Sequence, residues 1–220
     1  MAILNEQNRT EISQQLENME GPVKIVCFTQ ELECQYCRET KELLTELTDL
    51  SDKLTLETYN FITDKEIVEK FNIDKVPATI IMNDEKDYGI RFYGIPSGYE
   101  FASILQDILL VSKSDSGLSE DSRKKLANLE EPLHLQVFVT PTCPYCPRAV
   151  ALAHQFAIES DKVTADMVEA IEFPHLSQRY QVMGVPKTIA NEKSAAEGAL
   201  PEAHFLQKVL ETLTEETETA

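Results

Sequence analysis

The chain has 220 residues, 20 basic and 38 acidic, for a formal net charge of −18, with 42% hydrophobic and 26% charged residues. That length and composition suit one large or two small globular domains with true cores, and exclude wholesale disorder. Acidity is even along the chain, with eleven basic against twenty-two acidic residues through Asp115 and nine against sixteen after it. Such a charge argues against nucleic acid and anionic membrane as partners. No run approaches the ~18 apolar residues of a membrane-spanning helix. Asn5, Glu6, Gln7, Asn8, Arg9 and Glu11 stand where a signal peptide needs an apolar run, so the expected address is cytoplasmic.

In chain order, residues 6–19 place Ile12, Leu16 and Met19 on one helical face. A β-rich apolar run over 23–29 follows Pro22 and carries Cys27, expected to be a buried small hydrophobe. It leads into Cys34-Gln35-Tyr36-Cys37, which opens a helix whose buried stripe is Leu43, Leu44, Leu47 and Leu50. A second strand is expected over 54–61 and a short helix over 67–71. After Val76-Pro77 come a third strand over 78–82, a turn over 83–87, a fourth strand over 88–93, and an amphipathic helix with Phe101, Ile104, Leu105 and Ile108. The serine-rich stretch 112–122 reads as a junction.

The same order then recurs. Leu126 and Leu129 mark a helix, 133–140 a strand after Pro132, and Cys143-Pro144-Tyr145-Cys146 opens a helix with Val150, Ala153, Phe156 and Ala157 inward. A strand over 163–171, a helix over 176–180 and a strand over 187–190 after Val185-Pro186 follow. The second half then has only 191–198, so its hairpin is shorter and polar, and Phe205, Leu206, Val209 and Leu213 mark the last helix. A shift of 109 residues superposes the two Cys-x-x-Cys motifs and the two Val-Pro pairs, together with Ile62 on Ile171, Ile67 on Leu176 and Phe71 on Tyr180. Each proline lies 43 residues after the first cysteine of its half. The chain is therefore an internal duplication, divided here as 1–115 and 116–220.

A dithiol at a helix start suits redox chemistry. Unpaired N–H groups and the helix dipole favour an anion at the first cysteine, and the second lies on the same face, shielded by the helix. Cys34 and Cys143 are thus the expected nucleophiles, and Cys37 and Cys146 the resolving thiols. Acidic Glu31, Glu33 and Glu39 surround Cys34 in sequence, whereas Cys143 has none beside it, so Cys143 is expected to be the more acidic thiol. Pro144 works against this by removing one N–H. A zinc Cys₄ centre is the competing reading, but compact zinc modules space their pairs by about 15–20 residues, and here the pairs are 109 apart. Pro77 and Pro186 precede strands, where either a trans strand entry or a cis turn fits. His154 is expected at a solvated or interface position. Glu169 is a candidate buried proton acceptor for a resolving thiol, and Tyr36 and Tyr145 are candidates for shaping a docking surface.

A β-α-β-α-β-β-α order with the dithiol between first strand and helix is the thioredoxin-like arrangement. Cys34-Gln35-Tyr36-Cys37, Thr140-Pro141-Thr142-Cys143-Pro144-Tyr145-Cys146-Pro147 and Val182-Met183-Gly184-Val185-Pro186-Lys187 closely resemble the glutaredoxin-like protein disulfide oxidoreductases, tandem thioredoxin-fold enzymes of thermophilic archaea and bacteria. The resemblance implies two tandem thioredoxin-like units, each a central mixed β-sheet flanked by helices. It also implies catalysis by Cys34, Cys37, Cys143 and Cys146, with no bound cofactor or metal beyond the redox-active disulfides. Cis peptides before Pro77 and Pro186 are implied as well, with Val76, Pro77, Val185 and Pro186 binding substrate beside Tyr36 and Tyr145. The partners it implies are disulfide-bearing proteins and a thioredoxin reductase. An alternative is an electron-relay module similar to the N-terminal part of the alkyl hydroperoxide reductase flavoprotein, which carries one Cys-x-x-Cys. A glutathione-linked glutaredoxin is a third reading. The chain lacks the Gly-rich loop of a flavin or dinucleotide site, so any reductase is expected to be a separate protein.

Overall fold

A computed structural model describes residues 3–84 and 86–214. Helix α1 (Glu6–Leu16) is followed by β1 (Val23–Thr29), α2 (Cys37–Thr48), β2 (Leu54–Asn60), α3 (Lys65–Lys70), β3 (Ala78–Met82), β4 (Asp87–Tyr93), a 3₁₀ turn (Gly98–Glu100) and α4 (Phe101–Lys113). Then come α5 (Glu120–Ala127), β5 (Leu133–Val139), α6 (Cys146–Glu159), β6 (Val163–Glu169), α7 (Pro174–Arg179), β7 (Lys187–Ala190), β8 (Lys193–Glu197) and α8 (Glu202–Thr214). The element order found in the first half thus recurs in the second.

All eight strands form one mixed sheet, ordered β2-β1-β3-β4-β6-β5-β7-β8. Its centre is the parallel pairing of β4 with β6, in which Ile90, Arg91, Phe92 and Tyr93 lie beside Ala165, Asp166, Met167 and Val168. This pairing explains a difference between otherwise matching strands. β2 stands at the sheet edge and stays half-exposed, whereas β6, flanked on both sides, is buried from Ala165 to Glu169. Strands flanked on both sides and covered by helices are apolar throughout, as Val23, Ile25, Val26, Cys27 and Phe28 of β1 are.

One apolar core runs under both halves on the face covered by α1, α2, α4, α5, α6 and α8, joining Leu44 and Ile108 to Val150, Phe156 and Phe205. A smaller core lies on the opposite face beneath α3 and α7, around Phe28, Ile80, Phe138 and Ile189. The serine-rich junction is docked, with Ser116 and Leu118 buried and the Gln155 amide donating to the Ser116 carbonyl at 2.7 Å. Ser119 then caps α5, its hydroxyl accepting from the Ser122 N–H.

Two expectations need refinement. The short, polar hairpin is a regular one: β7 and β8 pair antiparallel with Ala190 opposite Lys193. Asn191 and Glu192 turn the chain with φ of 43° and 69°, the two positive angles that a two-residue hairpin turn requires. Asparagine tolerates that conformation, and Asn191 also anchors the turn to β5, accepting from the His134 N–H at 2.8 Å and donating to its carbonyl at 3.0 Å. The second corrects the place of His154. It lies between α4 and α6 but is not solvated; it is fully buried, with Nδ1 2.5 Å from Asp107 Oδ2 and its ring edge-on to Phe92.

Glycine is required where the 3₁₀ turn meets the loop before Cys143. Gly98 has φ +62°, and a Cβ there would stand 2.2 Å from the Pro141 carbonyl oxygen. Gly184, by contrast, has open space around its Cα. Gly98→Ala should cost about 2–4 kcal/mol through clash and left-handed strain together, while Gly184→Ala should stay within about 0.5 kcal/mol. Urea unfolding of both variants checks this, and equal midpoints would contradict the tight contact.

Candidate functional site

Each Cys-x-x-Cys pair sits where a strand hands over to a helix. β1 ends at Thr29 and α2 begins at Cys37; β5 ends at Val139 and α6 begins at Cys146. Neither helix start has a side-chain cap, since Tyr36 and Tyr145 occupy the cap positions without such a bond. The open N–H groups and positive dipole end therefore face the cysteines. Both pairs are closed as disulfides, Cys34–Cys37 and Cys143–Cys146, each with Cα atoms 5.5 Å apart. Cys27 is free and buried, and burial pushes its thiol up to about 12, which keeps it an inert hydrophobe at neutral pH.

The two sites differ. Cys143 Sγ accepts the Cys146 N–H, the first of α6, at 3.1 Å. This N–H compensates for the one that Pro144 lacks. In the first site a different bond forms, the Gln30 N–H after β1 donating to Cys37 Sγ at 3.4 Å. Glu39 in the first turn of α2 is held below the usual carboxylate range by its own backbone N–H and by Arg38, leaving a negative charge in the first turn of that helix. The first turn of α6 has no acid. Cys143 is only 8% exposed, while Cys34 is half-buried; Cys37 and Cys146 are buried.

Val76-Pro77 and Val185-Pro186 are both cis. In the second half this loop reaches the thiols, the Val185 carbonyl oxygen lying 3.7 Å from Cys143 Sγ. In the sequence next to Cys143 and Val185, Tyr145 is 69% and Met183 94% exposed. Leu32 plays a similar part ahead of Cys34, at 80% exposure. Tyr36 is more enclosed than Tyr145, and its hydroxyl accepts from the Gln35 amide at 3.2 Å.

Glu169, the candidate proton acceptor, has one oxygen engaged and the other, Oε1, buried without a partner, and burial raises its carboxyl. Its Oε2 accepts the Glu172 N–H at 2.6 Å, and Glu172 Oε1 accepts the Ile95 N–H at 2.7 Å. These carboxyls clamp the chain leaving β4 onto the end of β6. Burial, aided by the Glu169 charge, raises Glu172 to about 7.

Sequence reasoning missed Glu100, because an acid at the first turn of a helix normally reads as a solvated dipole partner. Glu100 is instead almost fully buried, bonded to the Ser103 hydroxyl at 2.7 Å, and burial raises it to about 7 against the opposing pull of Ser103 and His154. It lies beside the second site: the 3₁₀ turn packs on α6, and the Tyr99 N–H donates to the Pro141 carbonyl, two residues before Cys143, at 3.0 Å. Among the described residues no group of three or more metal-ligating side chains comes together, and no helix is long and apolar enough to cross a membrane.

The N–H on Cys143 and the charge in the first turn of α2 act in the same direction. Alkylation of the reduced protein, followed cysteine by cysteine across pH 5 to 9, should give Cys143 a midpoint about one unit below that of Cys34. The gap should narrow as salt screens Glu39 and its neighbours. Coincident or reversed midpoints at low salt would show that these local differences do not govern thiol acidity.

Comparison with known proteins agrees with this geometry. The model of the thioredoxin domain family matches residues 133–211. The alkyl hydroperoxide reductase AhpF of Staphylococcus aureus is 29% identical over 207 residues, covering 94% of this chain and 38% of the relative, so the chain spans about two-fifths of that protein's length. The NTD_N/C domain of AhpF from Enterococcus faecalis superposes with a TM-score of 0.86 at 26% identity, covering 94% of this chain and 99% of that one. The protein disulfide oxidoreductase of Aeropyrum pernix superposes with a TM-score of 0.90 at 30% identity, covering 97% of this chain and 96% of that one. With that likeness over nearly the full length of both molecules, and with both dithiol motifs in place, the chain belongs to the thioredoxin-like protein disulfide oxidoreductases.

Proposed function

We propose that residues 1–115 and 116–220 are two thioredoxin-like units, each with one thiol–disulfide exchange site, and that the Cys143–Cys146 site is the stronger nucleophile. The observation that carries this reading is the placement of each cysteine pair at an uncapped helix start, with the Cys146 N–H on Cys143 Sγ. In the reductive direction, the Cys143 thiolate attacks one sulfur of a substrate disulfide. The substrate S–S bond breaks, one substrate thiolate leaves, and a mixed disulfide forms. Cys146 gives its thiol proton to the Glu100 carboxylate, and its sulfur attacks Cys143 Sγ. The second substrate thiolate leaves, two electrons have passed to the substrate, and the Cys143–Cys146 disulfide remains. The Cys34–Cys37 pair runs the same exchange with Cys34 as nucleophile.

Val185 and Pro186, with Val76 and Pro77 in the first unit, are the proposed rests for an extended substrate segment. The nearness of the Val185 carbonyl to Cys143 supports this. Exposed Tyr145 and Met183, and Tyr36 with Leu32 at the first site, supply apolar contact suited to protein substrates. Return of the disulfides to dithiols falls to a separate reductase of the thioredoxin reductase class.

A second reading, relay of electrons from a flavoprotein reductase to a peroxidase-type partner, is favoured by the match of nearly the whole chain to the alkyl hydroperoxide reductase AhpF. The two readings share the Cys143–Cys146 chemistry and differ in the breadth of substrates.

Trapping tests the proposed order of attack. Cys146→Ser should accumulate mixed disulfides with disulfide-bearing proteins through Cys143, at least tenfold more than Cys143→Ser, because the remaining Cys146 is buried. Equal trapping by the two variants on non-reducing gels would overturn the assignment.

A further inference from the structure

Three buried polar atoms without a partner gather where the two halves meet: Glu100 Oε1, Asp107 Oδ1 and His154 Nε2. They belong to one cluster. Asp107 Oδ2 is 2.5 Å from His154 Nδ1, and the charges acting on Glu100 are those of His154 and Asp107. His154 lies on α6 two turns beyond Cys146, with Val150 between them on the same stripe, all three fully buried. Asp107 of α4 meets the imidazole, Phe92 of β4 lies edge-on to it, and Glu100, bonded to Ser103, feels its charge from the turn before α4. In the first unit the corresponding helix offers exposed Thr45 and no such group.

A buried histidine and two buried acids cost folding energy unless paired, so a cluster left with unpartnered atoms next to a dithiol calls for a role. We propose that Asp107 and His154 are a positioning pair for the second site, with Asp107 fixing the imidazole and the imidazole keeping Glu100 ready to take the proton of Cys146. The proposal rests on the reading of Glu100 as that proton acceptor. Its sign follows from the charges. Burial and Asp107 favour the protonated carboxyl, while His154 and the Ser103 hydroxyl favour the carboxylate. Without the imidazole, Glu100 holds its proton to higher pH, and the resolving step lacks its base at neutral pH while recovering it in alkali.

The test isolates the resolving step in the full chain. Reduced protein carrying Cys34→Ser and Cys37→Ser is mixed with an aromatic disulfide that releases coloured thionitrobenzoate. The first release reports attack by Cys143, and the second reports attack by Cys146 on the mixed disulfide. In the parent the second phase should rise with pH around neutrality. His154→Gln should move that midpoint up by about 0.5–1 unit, a slowing of roughly two- to fivefold near pH 7 that vanishes by about pH 9. Asp107→Asn, which still accepts from Nδ1 but removes the charge that favours the protonated carboxyl, should move it the opposite way. In protein carrying instead Cys143→Ser and Cys146→Ser, neither substitution should move the second phase of the first site. Glu100→Gln should abolish the dependence in the second site. An unmoved midpoint in folded His154→Gln or Asp107→Asn, with Glu100→Gln still abolishing the dependence, would overturn the positioning role alone. An equal shift at both sites would overturn it too, by showing a global effect. Persistence of the full dependence in Glu100→Gln would overturn the reading of Glu100 itself. Should His154→Gln fail to fold, Asp107→Asn decides.

Discussion

The parallel pairing of β4 with β6 is the constraint on which the rest depends. Four residues of backbone ladder, Ile90 to Tyr93 against Ala165 to Val168, make one sheet of two halves and turn β6 from an edge strand into an interior one. Two open sheet edges, each a liability for unwanted pairing, disappear in the same step. With the strands locked, α4 of the first half must lie on α6 of the second, and their shared surface holds Phe92, Asp107 and His154. The chain leaving β4 is then caught twice more by the second half, through Ile95 on Glu172 and Tyr99 on Pro141.

This geometry makes the two dithiol sites unequal although their local frames match. The second site borrows its surroundings from the first half: the Tyr99 N–H steadies the loop before Cys143, and Glu100 lies buried beside α6. The first site has a more open cysteine and a charged Glu39 in its helix. The strand-to-helix dithiol thus occurs twice in one sheet, and the second lies beside a buried acid, Glu100, from the other half of the chain. The difference in surroundings between the two sites follows from topology rather than from the Cys-x-x-Cys motifs.

What was legible in the sequence was what is local or periodic. The two motifs, the two Val-Pro pairs and the apolar stripes of α2, α4, α6 and α8 all depend on spacings within a few turns or on the repeat offset, and all the cysteines fall where these spacings put them. The β7–β8 hairpin was legible only as short and polar; its regular pairing comes from its backbone ladder and the anchoring by Asn191, which outweigh the polar side chains of 191–197. The burial of His154 and Glu100 was missed. Each is polar on its own helix and is buried only because the other half of the chain covers it, which no local pattern records. Glu169 was rightly singled out as unusual within β6, yet its carboxyl serves the crossover between the halves through Glu172.

Insulin reduction, paired with refolding of a protein with scrambled disulfides, tests the central claim of two exchange sites on one sheet most directly. It is run on the parent, on Cys34→Ser/Cys37→Ser, on Cys143→Ser/Cys146→Ser and on the variant lacking all four cysteines. The account predicts that each double variant retains activity, that loss of the second pair costs more than loss of the first, and that the quadruple variant is inactive. Full activity without Cys143 and Cys146, or residual exchange in the quadruple variant, would contradict it.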